Sequence, residues 1–276
     1  MANFYEDNAD LRFYIEKAIN WEPVVKAVER DFTSEGGFKS VEEAKEFYIE
    51  VLSMVGNFVA EEIAPRAAAV DRVHNTVVDG EVALAPEMDE IFRQIGELGL
   101  HTISFPRELG GMNAPTMLYM ISSELIARGD VSMMTHFAFH CGIGLVLLMY
   151  SVLEGSTEFD PETLEITSTR FQEVIDEIMA GKDWGSMDIT EPNAGSDMAA
   201  LTMKAEQDEE GNWFLTGEKC FITSGNGRHH VVIARSEEPE AGVEDAFSGL
   251  KGLSLFWVPA YEDTPEGRKR FVQIDR

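Results

Sequence analysis

The pattern of apolar and polar positions changes once along the chain. Up to about Gly181 the apolar residues fall at helical spacing, and after Trp184 they come in short runs separated by turn residues. Ser40 with Glu43 forms a capping-box pattern, and Ala44, Phe47, Val51, Val55 and Phe58 follow on one helical face until Pro65 interrupts or bends it. Pro86 opens a second helix that Gly99 closes, and Pro115 a third that Gly129 closes. Proline fixes φ at the first helical position and glycine accepts the left-handed cap. The apolar stretch 137–150, broken by His140, Cys141 and two glycines, is too short for a bilayer core of about 30 Å and reads as a buried helix. Asp160-Pro161 predicts a further helix with Leu164, Phe171, Val174, Ile175, Ile178 and Met179 on its apolar face, ending at Gly181. The strands expected beyond it are 201–206, 213–215, 220–223, 229–234 and 253–258, with 208–212 a hairpin connection and 236–249 an acidic loop. Of the pair His229-His230, one ring should be buried and the other wet.

Two domains suit a chain of 276 residues, and 44% hydrophobic residues supply a core. Fifty acidic against 22 basic residues leave a net charge of -28, which argues against nucleic acid and anionic lipid surfaces as partners. A pocket lined by helix N-termini or a few basic residues can still take an anionic small molecule. Two cysteines, Cys141 and Cys220, give no disulfide framework, and the first residues lack secretory or transit-peptide character. A reduced cytoplasmic setting is expected. His136 and His140 are the one i, i+4 histidine pair, with no zincin pattern around them, so no metal is expected; Rossmann and P-loop glycine motifs are absent from the sequence.

The stretch that carries chemistry runs Met187-Asp188-Ile189-Thr190-Glu191-Pro192-Asn193-Ala194-Gly195-Ser196-Asp197, where helices give way to strands. Pro192 fixes one φ, Gly195 lacks a Cβ, and Thr190 and Ser196 bring hydroxyls. Two readings stay open on these residues alone. Thr190, Ser196 and Asp197 cap backbone groups in an interdomain turn, or the loop grips a flat heterocycle.

This stretch resembles the acyl-CoA dehydrogenase signature Thr/Ser-Glu-Pro-x-x-Gly-Ser-Asp, followed by a small residue, here Ala199 or Ala200. Gly217-Glu218-Lys219-Cys220-Phe221-Ile222-Thr223-Ser224-Gly225 resembles the second flavin segment of that family, Gly-x-Lys-x-Trp-Ile-Thr-x-Gly, with Phe221 in place of tryptophan. Upstream, Leu98-Gly99-Leu100, Pro106 to Gly111 and Ser123 to Arg128 resemble its Leu-Gly-Leu, Pro-x-x-x-Gly-Gly and Glu-Leu-Ala-Arg segments. The likeness covers about 45–276. It implies an α+β fold: an N-terminal extension over 1–44, an all-α helical domain over 45–182, and a truncated β-barrel-like middle domain over 183–276. The C-terminal four-helix domain of the family is expected to be absent.

The resemblance further implies FAD as cofactor and an acyl-CoA thioester as substrate. Met187, Asp188, Ile189 and Thr190 would lie against the flavin, with Thr190 the leading single residue. Ser196 would reach both FAD and the thioester arm, and Phe221, Ile222 and Thr223 would form a strand with Phe221 and Thr223 facing the flavin and Ile222 buried. Asp188 and Met187 depart from the residues usual in the family, and the Asp188 carboxylate is expected to point away from the flavin. The reaction implied is α,β-dehydrogenation of the acyl-CoA, with electron-transfer flavoprotein as acceptor. Its catalytic carboxylate belongs to the C-terminal bundle, so no catalytic residue is assigned in this chain. The sequence is then a fragment of a longer product, one subunit of a split homo- or hetero-oligomer, or a non-catalytic flavin- or acyl-CoA-binding module.

Overall fold

A computed structural model describes residues 2–237 and 248–275, so most of the acidic loop expected at 236–249 lies outside the described residues. The chain divides into a helical unit, residues 1–78 with 82–182, and a β unit, residues 79–81 with 183–276.

The helical unit begins with α1 (Ala9–Phe13), a π-helical turn (Tyr14–Ala18) and α2 (Trp21–Val28), which pack on α3 (Val41–Phe58). The expected extension is thus part of this core. Trp21 and Tyr48 rings meet at 5.3 Å, and Asn3 donates to the Ser53 carbonyl at 3.0 Å. Gly56 is required there, because a Cβ would strike Asn3 Oδ1 at 2.2 Å. Ser40 caps α3 as expected, accepting from the Glu43 N–H, but the Glu43 carboxylate accepts from the N–H of Lys39 and not from that of Ser40, so the capping box is only half formed. Ala44, Val51, Val55 and Phe58 are buried, as are Tyr48 and Leu52. Each large side chain of this stripe contributes roughly 1.5–3 kcal/mol by leaving water.

Beyond α4 (Ala67–Arg72) and a short ribbon of β1 (Thr76–Val78) and β2 (Glu81–Ala83) come α5 (Pro86–Glu97) and α6 (Thr116–Gly129), both opened by proline as the sequence implies. Gly129 packs closely on the chain that follows α3, where a Cβ would meet Val59 at 2.7 Å. The apolar stretch at 137–150 extends to α7 (Val131–Leu153). By length and composition alone α7 could cross a membrane, but half of its most apolar window is buried within the unit.

The helix expected from Asp160 is shorter than the pattern suggests. β3 (Thr157–Phe159) and β4 (Ile166–Thr169) form a hairpin, and only α8 (Gln172–Met179) is helical. Asp160 Oδ1 accepts from the N–H groups of Glu162 and Thr163, which closes a turn where the helix was expected to start. Leu164 is consequently exposed, at φ +60°.

In the β unit, β5 (Gly185–Asp188), β6 (Lys204–Gln207), β7 (Trp213–Thr216), β8 (His229–Arg235) and β9 (Leu253–Pro259) form one mixed sheet. β8 is parallel to β5, with Ser186 opposite His230, and antiparallel to β9 along its whole length. β10 (Tyr261–Thr264) and β11 (Gly267–Arg270) make a separate hairpin. The fold is α+β as expected, but the sheet is open and no closed barrel exists among the described residues. His229 and His230 point to opposite faces of β8 and both are buried, so both faces are covered there, against the expectation of one wet ring.

Candidate cofactor site

The loop after β5 is held by one carboxylate. Glu191 Oε2 accepts from the Thr202 N–H at 2.7 Å and the Thr202 hydroxyl at 2.8 Å, and Oε1 from the Met203 N–H at 3.0 Å. Lys219 Nζ lies 2.9 Å from Glu191 Oε1 and also donates to the Ile189 carbonyl at 3.0 Å. Both side chains are buried, at 6% and 4% exposure. Burial by itself would push the Glu191 carboxyl up. The Lys219 ammonium and the donors of Thr202 and Met203 outweigh it and hold the group down at about 2.

One further bond ties the two segments: the Cys220 N–H donates to the Thr190 carbonyl at 2.9 Å. Residue 221 therefore follows directly on a backbone contact with Thr190. The segment 220–223 is not the strand expected from its apolar residues. Phe221 sits at φ +57° and Ser224 at +58°, left-handed conformations that break a ladder. Phe221 and Thr223 nevertheless project outward and Ile222 is half-buried, so a turn gives the division of faces expected of a strand. The Phe221 ring is 92% exposed.

Among the described residues, no hydrogen bond within the protein occupies the hydroxyls of Thr190, Ser196 or Thr223. Asp197 behaves differently, accepting from the Ala199 N–H at 3.2 Å as a local cap. Ser196 lies exposed beyond a tight turn in which Glu191 and Ala194 exchange backbone bonds of 2.8 and 3.1 Å. An exposed aromatic ring and hydroxyls without protein partners, carried on two segments joined at Thr190 and Cys220, make a set that fits a flat, polar-edged heterocycle such as a flavin.

On β5 the side chains alternate. Ser186 and Asp188 share one side, where Ser186 donates to Asp188 Oδ1 at 2.6 Å and His230 Nδ1 approaches Asp188 Oδ2 at 2.8 Å. All three are buried. Asp188 thus turns into the sheet's core, away from the side that carries half-buried Met187, as the alternation implies. The sequence reading did not find His230 as its partner or Lys219 as the partner of Glu191. Buried acids and bases at loop and strand positions were the available signal, but 42 and 28 residues separate the members of each pair.

In the helical unit, a polar cleft beside Arg30, Arg107 and Glu108 is neutralised by its own ion pairs, Arg30 with Glu108 at 3.0 Å and Arg107 with buried Glu29 at 2.9 Å. No group of three or more metal-binding side chains occurs among the described residues.

Residues 46–159 match the model of the acyl-CoA dehydrogenase N-terminal domain, and residues 186–271 that of the middle domain. The chain belongs to the acyl-CoA dehydrogenase family. Similar curated proteins include 3-methylmercaptopropionyl-CoA dehydrogenase of Ruegeria pomeroyi, 29% identical over 91% of this chain and 38% of that protein. Probable acyl-CoA dehydrogenase YngJ of Bacillus subtilis is 31% identical over 66% of this chain and 41% of that protein. Among solved structures, glutaryl-CoA dehydrogenase of Mycobacterium smegmatis aligns with a TM-score of 0.54 at 22% identity, over 87% of this chain and 50% of that one. At that identity the likeness carries the fold alone. The chain thus spans well under two thirds of these family members, and the loop 187–191 and segment 219–223 both fall inside the middle-domain match.

Proposed function

We propose that this chain holds FAD and one side of an acyl-CoA thioester for α,β-dehydrogenation, with the catalytic carboxylate supplied from outside it. The observation that carries the reading is the backbone bond from Cys220 to Thr190, which joins the segment bearing the exposed Phe221 ring to the loop bearing hydroxyls that no protein group uses. The Thr190 and Thr223 hydroxyls would hold the polar edge of the cofactor and Phe221 would cover a face. Ser196 would serve cofactor and thioester. Met187, on the opposite side of β5 from Asp188, and Ile189 beyond it would contribute backbone and apolar contact, as would half-buried Ile222. Bound there, FAD would supply the hydride acceptor for the substrate β-carbon.

The two buried carboxylates of the loop are unsuited to removing the α-proton. Glu191 is saturated by four donors and held at about 2, and Asp188 is buried against Ser186 and His230. A general base needs a carboxyl that is within reach of the substrate and free to accept a proton. The family relationship supports a base on a C-terminal helical segment, an oligomeric assembly and electron-transfer flavoprotein as the acceptor.

The chain is mixed with FAD, passed through gel filtration and inspected for visible flavin absorbance. Co-elution of flavin supports the reading, and elution of colourless protein contradicts it. Anaerobic addition of acyl-CoA to the complete assembly should then bleach the flavin band. Binding without bleaching would instead identify a non-catalytic acyl-CoA or flavin module.

A further inference from the structure

The Lys219 side chain bridges the two halves of the candidate site. Its ammonium reaches the Ile189 carbonyl at 3.0 Å on one side of Thr190 and the Glu191 carboxylate at 2.9 Å on the other. The residue after Lys219 donates its N–H to the Thr190 carbonyl. Three consecutive loop residues are therefore fixed by two consecutive residues of the second segment. Glu191 carries the restraint onward to Thr202 and Met203, just before β6. With both charges 4–6% exposed, the pair is shielded from water and its geometry is narrowly defined.

We propose that the Lys219–Glu191 ion pair is a positioning device for cofactor binding: it holds the backbone of residues 189–191 so that the Thr190 hydroxyl faces the surface beside Phe221. The inference rests on the reading that this loop seats FAD. Lys219 touches no cofactor atom in this scheme and acts only through the loop. Thr190 makes no hydrogen bond of its own through its hydroxyl among the described residues. Its side chain is therefore oriented by its backbone, and its backbone by Cys220, Lys219 and Glu191. A ligand that needs the hydroxyl in place gains affinity from this preorganisation.

The test compares wild type with Lys219→Met and Lys219→Arg by two readouts: amide exchange of Cys220 in the absence of FAD, and FAD affinity with the visible spectrum of the bound flavin. Loss of the ammonium should speed Cys220 exchange at least about tenfold while the β8 amides of 231–234 keep their protection, and should weaken FAD binding at least about tenfold. Lys219→Arg, which keeps the charge and can still donate, should recover part of both. If β8 and Cys220 lose protection together, the pair is general support for the sheet and the proposal fails. It fails equally if Cys220 exchange accelerates but FAD affinity and spectrum stay within about twofold of wild type. Wild type that binds no FAD sinks the functional reading itself, whereas the exchange comparison still reports whether Lys219 holds the loop.

Discussion

The histidine cluster of the helical unit and the loop of the β unit bury ionisable groups by opposite means. In the helical unit His101 and His140 stack at 4.5 Å, His136 lies 5.8 Å from His140 and stacks on Phe92 at 3.5 Å, and burial depresses all three. His136 falls to about 3, so the cluster is uncharged at neutral pH. In the loop of the β unit the donors around Glu191 hold it in its charged form, and every oxygen of the carboxylate is occupied. A core that only has to pack discharges its polar groups, whereas a loop that has to present a backbone in one conformation uses a paired charge to fix it. That loop has no repeating ladder to rely on.

The largest effect separating the two should come from leaving one buried charge alone. Lys219→Met strands Glu191, and because the loop can open to rehydrate the carboxylate, the unfolding free energy should fall by less than the about 4 kcal/mol of a charge that stays buried, with the β8 amides still protected. Glu191→Gln added to it removes the stranded charge but keeps an acceptor, so the double variant should be more stable than the sum of the single effects. Denaturant titration of the four proteins gives the coupling. Strict additivity would mean that the pair does not act as a unit.

Acid should act on the helical unit first. Below about 6.5 an unfolded histidine takes up a proton, while buried His136 does not until about 3, so folding stability falls as pH falls through this window. Between pH 6.5 and 4, His136 alone should cost about 3 kcal/mol. His229 in the β unit adds loss in the same direction, down to its value of about 4. Glu191 has the opposite kind of shift. Its stabilisation is complete above the ordinary carboxyl value of 4.5 and is lost as pH falls from there toward 2. Stability curves at successive pH values should therefore flatten between 6.5 and 4 in His136→Phe and between 4.5 and 2 in Glu191→Gln. An unchanged slope in either variant would contradict the assignment.

Legibility in the sequence follows the same division. Helices bounded by Ser40 with Glu43, by Pro86 and by Pro115 were readable because capping and apolar periodicity are local. The start at Asp160 misled because an aspartate that caps a helix equally closes a turn, and only its partners Glu162 and Thr163 decide which. The run 220–223 misled because apolar residues beside glycine imitate a strand, while the chain there is governed by left-handed Phe221 and Ser224. The family motifs marked the two segments that the fold joins through Cys220 and Thr190. What holds it, Lys219 against Glu191 and His230 against Asp188, joins residues far apart in the chain and emerged only with the fold.

The central claim is that Phe221 is exposed because a flat cofactor lies on it. Phe221→Ala removes a ring with 92% exposure, so the stability of the chain without FAD should stay within about 0.5 kcal/mol of wild type. Titration of the same variant with FAD should show affinity weakened about fivefold or more. Unchanged affinity in a fully stable Phe221→Ala protein would show that the ring is ordinary surface and that the flavin, if bound, lies elsewhere.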